Sequence, residues 1–88
     1  MKIKEGFILR EVMGKKIVVA SGEASKTFHG MIKLNETASD IWTWTAQGMN
    51  EQQVAERFAA EYGISVEKAM DDVREMTKQM LENGIWEA

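Results

Sequence analysis

The spacing of apolar residues changes once along this chain, near residue 35, and that change limits the folds open to it. Before it lie short runs rich in β-forming residues: Phe7-Ile8-Leu9, Ile17-Val18-Val19-Ala20 and Met31-Ile32-Lys33-Leu34. After it, apolar residues recur three and four apart, as on one face of a helix. The chain is 88 residues long, so residues 1–88 make a single domain. With no cysteine it has no disulfide framework and must hold together by packing sheet against helices.

In the first part, residues 6–21 contain two β-rich runs broken at Met13-Gly14-Lys15, where glycine suits the tight turn of a hairpin. Ile17-Val18-Val19-Ala20 is apolar at successive positions, the pattern of a central strand covered on both faces. Residues 21–30 are small and polar and read as a loop, and residues 29–34 as a third strand. A meander then leaves the first and third strands as edges.

In the second part, Asn35 or Thr37 caps a helix that carries Ala38, Ile41, Trp42 and Thr45 on one face and ends near Gln47-Gly48. Trp44 lies at the margin of that face and reads as partly exposed core margin, with a role in a partner surface as the lesser alternative. Asn50 and Gln53 have the spacing of a capping box, followed by the stripe Val54, Ala55, Phe58, Ala59, Tyr62 up to Gly63. Ser65 caps a third helix whose core arc runs from Val66 through Val73 and Met76 to Leu81, stopped by Asn83-Gly84. Ile85 and Trp86 then fold back on the core. The expected class is α+β, a three-stranded antiparallel sheet followed by three helices (β-β-β-α-α-α), resembling a winged helix-turn-helix.

Several functions lose support at this stage. A net charge of −3 gives no general attraction to nucleic acid or to anionic membranes. A winged-helix DNA-binding regulator is the alternative reading, but the third helix carries more acids than bases, the wrong sign for meeting phosphates. The N-terminal apolar run stops at Arg10, too short for a signal peptide, so a cytoplasmic location is the default. His29 is the single histidine, without companion ligands for a metal or a positioned nucleophile for hydrolysis. Asp71, Asp72 and Glu75 read as a solvated helix face rather than a cation site. Ser65 begins a helix but lacks the surrounding motif of a carrier-protein attachment serine. No enzyme activity and no cofactor is expected.

One side of the third helix grades from apolar to basic, with Met70, Thr77 and Leu81 followed by Arg74 and Lys78. Methionine suits surfaces that adapt to varied apolar side chains. The opposite margin carries Asp72 and Gln79.

The stretches Leu34–Trp42, Ala55–Met76 and the terminal Asn83-Gly84-Ile85-Trp86 together resemble the PqqD-like family, named for coenzyme PQQ synthesis protein D. Leu34, Asn35, Thr37, Ala38, Ile41 and Trp42 match its Leu-Asn motif, Phe58, Tyr62 and Gly63 its second helix, and Asp72-Val73 its last. Met76-Thr77 and Gly84-Ile85-Trp86 depart from the usual Phe-Leu and Gly-Leu-Leu. The resemblance implies a RiPP recognition element, which binds the leader segment of a ribosomally made precursor peptide. The leader would add as a strand to the third strand and lie against the third helix. Its implied peptide-binding residues are His29, Gly30, Met31, Ile32 and Lys33 on the strand, with Met70, Arg74, Thr77, Lys78 and Leu81 on the helix. The implied partners are the precursor leader and a modification enzyme, such as a radical SAM maturase or a lasso-type protease and cyclase. An open edge also permits a homodimer.

Overall fold

The computed structural model describes all residues, Met1–Ala88. Its strands are β1 (Lys2–Ile3), β2 (Phe7–Val12), β3 (Lys15–Ala20), β4 (Met31–Leu34) and β5 (Trp86–Glu87). Its helices are α1 (Ala24–Thr27), α2 (Glu36–Ala46), α3 (Glu51–Tyr62) and α4 (Val66–Glu82). The expected α+β order holds for the main elements, with β2-β3-β4 as the antiparallel sheet and α2, α3 and α4 as the helices.

The hairpin closes through the two residues Met13 and Gly14, since Val12 pairs directly with Lys15. Both have positive φ (52° and 78°), the backbone a two-residue turn needs to match the twist of its strands. Glycine takes that conformation freely, whereas Met13 takes it against its own Cβ. Gly6, before β2, is constrained more tightly. A Cβ there would lie 2.8 Å from both the Ala24 Cβ and the Ser21 carbonyl oxygen. That close approach lets Ser21 N–H donate to the Gly6 carbonyl at 2.7 Å and locks the base of the hairpin.

The helix starts obey their caps. Asn35 Oδ1 accepts from Ala38 N–H at 2.8 Å, and Ser65 Oγ accepts from Lys68 N–H at 3.1 Å. Asn50 and Gln53 form the reciprocal box, each side chain accepting from the other's backbone N–H. Gly63 ends α3 in the left-handed conformation, φ 65°.

The core joins one sheet face to the helices. Val18, fully buried, lies beside Leu9 and Ile32, and below them pack Leu34, Ile41, Trp42, Val54, Phe58, Val73, Met76 and Met80. Trp42 meets Trp86 at 5.8 Å between ring centroids.

Five expectations change. The segment 21–30 is not wholly loop, because Ala24–Thr27 makes one helical turn. The third strand begins at Met31 rather than at residue 29, since pairing with β3 starts at Met31 opposite Val19. His29 and Gly30 therefore lie outside it, both exposed. β3 is covered on one face only: Val18 is buried, while Ile17 and Val19, which point the other way, are half-buried. Trp44 is only 7% exposed, because α2 is clasped from two sides; Arg57 of α3 lies over its ring at 5.5 Å. The termini also pair, Ile3 with Trp86 and Lys2 with Glu87, so the C-terminal fold-back is held as a strand.

Candidate functional site

β4 is the last strand of its sheet and pairs only with β3. Along an antiparallel strand, alternate residues turn their backbone groups to opposite sides. Every second residue of β4 therefore offers N–H and C=O to the open side. No turn, loop or cap hydrogen bond uses a backbone group of residues 31–34. Buried polar groups almost always find partners, so such a row persists only where water or another chain can reach it.

A groove of about 440 Å³ runs beside this edge, between β4, the start of α2 and one side of α4. Its floor is apolar and belongs to the core: Leu34, Ile41, Phe58, Met76 and Met80. Its rim is polar, with Asp72, Glu75 and Gln79 from α4, Thr37 from α2 and the α2 cap Asn35. The rim acids are engaged along their own helix. Lys68 Nζ donates to Asp72 Oδ1 at 2.8 Å, and Gln79 Nε2 donates to Glu75 Oε1 at 3.2 Å. The Asp72 carboxylate holds the Lys68 ammonium above its ordinary pKa, first through that hydrogen bond and then through its charge.

The floor is braced from behind. Phe58 meets the Tyr62 ring edge-on at 5.1 Å, and Tyr62 Oη donates to Asp40 Oδ2 at 2.6 Å, tying α3 to α2. That bond is the main reason the phenol pKa is pushed up to about 12.

Of the strand residues singled out in the sequence, Ile32 and Lys33 border the groove: Ile32 is half-buried and faces the core side, whereas Lys33 stands at the alternate, exposed position and borders it from the strand edge. Met31 belongs to the open edge but faces away from the helices, 67% exposed. The helix residues are not brought to the groove. Arg74 Nε donates to Glu51 Oε1 of α3 at 3.3 Å, and Met70 lies beside it among Gln52 and Val66. Thr77 is buried, its hydroxyl donating to the Val73 carbonyl at 2.8 Å with Met1 Sδ 3.3 Å away. Lys78 and Leu81 are exposed on the remaining surface of α4. The groove wall is instead Asp72, Glu75, Met76, Gln79 and Met80.

The reason is geometric. A helical wheel orders residues around α4 but does not say which margin of the apolar arc meets the sheet. Packing decides that: α3 and the N-terminus take the margin with Arg74 and Thr77, leaving the margin with Asp72 and Gln79 to border β4. The only sequence signal for the wall of this groove was the acid and amide margin, Asp72 and Gln79, next to Met76 and Met80.

Solved structures of the same fold come with peptides bound. The chain superimposes on TbiB1 in complex with the TbiA(beta) leader peptide with a TM-score of 0.82, at 16% identity, covering 100% of this chain and 96% of that one. It superimposes on a lasso peptide synthetase B1 complexed with the leader peptide with a TM-score of 0.80, at 17% identity, covering 99% and 96%. No curated protein sequence matches it. The family model described as coenzyme PQQ synthesis protein D (PqqD) matches residues 8–85, nearly the whole chain. With its sheet, three capped helices and open β4 edge in that span, the chain belongs to the PqqD family.

Proposed function

We propose that this protein is a non-catalytic peptide-binding module that captures the leader segment of a ribosomally made precursor and presents it to a separate modification enzyme. The leader adds as a strand on β4 and seats side chains in the groove against α4. The observation that carries the reading is the conjunction of an unused backbone edge with an apolar-floored groove directly beside it. Main-chain hydrogen bonds supply a sequence-tolerant grip, and the groove supplies selectivity. The leader complexes of the two structural neighbours support the same occupant.

The energetics are sufficient. Ordering a flexible leader costs about 2–5 kcal/mol. Two or three apolar side chains buried at about 1.5–3 kcal/mol each offset that cost. Nucleic acid is a poor occupant, since Asp72 and Glu75 border the groove and would repel phosphates.

The partner enzyme is a radical SAM maturase or another peptide-modifying enzyme. The test is calorimetry and backbone NMR with synthetic leader segments of precursor-like peptides encoded by neighbouring genes. Saturable heat with amide shifts concentrated at residues 31–34 is expected. Absence of both heat and shifts rejects the proposal.

A further inference from the structure

The two faces of β4 differ in charge, and a strand added at its edge would show alternate side chains to each. On the α4 side, the added strand meets Ile32 and Leu34, the methionine floor and the acids Asp72 and Glu75. Asp72 already has Lys68 as its counter-charge, whereas Glu75 has only the neutral amide of Gln79. The unneutralised charge on this side is thus negative and sits on Glu75.

The other face carries the opposite sign. Met31 and Lys33 share it with Ile17 and Val19 of β3, their partners across the pair, and with Arg10 and Lys15 further along the sheet. No acid stands at a β2, β3 or β4 position on this face. Lys33, Arg10 and Lys15 take part in none of the ion pairs of the protein. Lys33 lies closest to an added strand, because it is on β4 itself.

We infer that the leader strand this protein takes is alternately charged, with apolar side chains and Lys or Arg pointing toward α4 and Asp or Glu on the intervening, outward positions. The inference rests on leader capture at β4 and adds which leaders are taken. Opposite charges across a strand pair attract and like charges repel, so the pattern selects both composition and register. A slip by one residue would set the basic side chain beside Lys33 and the acid beside Glu75.

The test is selection of a random-peptide display library on the full chain, followed by NMR mapping of the enriched peptides. Enriched sequences should place Lys or Arg two residues from an apolar anchor, with Asp or Glu between them. Selection on Glu75→Lys should remove the basic preference and keep the acidic one, and selection on Lys33→Glu should do the reverse. Both positions are exposed, and far-UV circular dichroism verifies that the variants fold. Affinity of a wild-type-selected peptide should fall about tenfold on Glu75→Lys. Enriched peptides that shift residues 31–34 but lack the alternation, or carry acids in step with the apolar anchor, overturn the inference and leave leader capture standing. If no peptide is enriched, or the shifts lie away from β4, leader capture falls and the inference falls with it.

Discussion

The two margins of α4 do different work, although both flank the same apolar arc. On one margin, polar side chains are tied to other elements: Arg74 to Glu51 of α3, and Thr77 beside Met1 at the N-terminus. On the other, Asp72 and Glu75 bond only within their own helix, to Lys68 and Gln79. The first margin holds the helix in place. The second faces a groove and an unpaired strand, and its side chains are free to meet another molecule. An open groove can thus sit on a rigid element, because the groove wall and the anchoring wall are separate sides of one helix.

The strongest test of that division removes volume from each margin. Met76→Ala deletes a buried side chain that is both groove floor and core, and should cost about 2–5 kcal/mol in chemical denaturation. Leu81→Ala, at a site 39% exposed, should cost less than about 1 kcal/mol. Equal losses would mean that the floor is not core.

Adjacent residues provide a cleaner binding test. Gln79→Trp puts an indole into the groove and should weaken leader binding by about tenfold or more, the worth of one lost apolar anchor. Lys78→Trp, one residue along and on the outer surface, should leave the dissociation constant within about twofold. Calorimetry on the pair decides between the margins.

Smaller effects are expected where the sequence pointed to the other margin. Arg74→Glu breaks an exposed ion pair and should cost at most about 1 kcal/mol, with leader affinity unchanged. Thr77→Val should lower the melting temperature slightly and also leave affinity unchanged, because its hydroxyl is spent on Val73. Loss of binding in either variant would return the site to the margin with Arg74.

The subtlest test concerns the brace behind Phe58. Tyr62 is the single tyrosine, and its folded pKa is raised from 10 to about 12 by the bond to Asp40. A raised pKa means that the neutral phenol is favoured in the folded protein. The stabilisation is therefore full below pH 10 and disappears as the pH climbs toward about 12. Ultraviolet titration of the folded chain should show tyrosinate forming near 12, and Asp40→Asn should bring it back toward 10. A wild-type midpoint at 10 would show that the brace is absent.

Much of the fold was legible because its signals are local. Asn35, Asn50 with Gln53, and Ser65 cap helices through contacts no more than three residues away. The turn at Met13 and Gly14 needs only the conformations of two neighbours. The open edge of β4 was equally legible, since helical periodicity follows it directly; the one later strand, β5, pairs with β1 instead.

The misread parts share a cause. Val19 and Ile17 have the apolar pattern of a strand covered twice, but all three long helices pack on the side of Val18. Trp44 lies off the face that meets the sheet, yet α3 supplies a second face for it. The pairing of Lys2–Ile3 with Trp86–Glu87 joins the two ends of the chain and has no local signature. The margin of α4 that borders β4 is the same kind of fact.

The sequence alone therefore determined the three main strands and three long helices, their caps, their order and the existence of a free edge, because these follow from backbone conformation and short-range hydrogen bonding. Only the tertiary structure decided which wall stands opposite that edge and what charge it bears. A change in the placing of α3 against α4 would alter no local preference, yet would exchange Arg74 for Glu75 beside the open edge of β4.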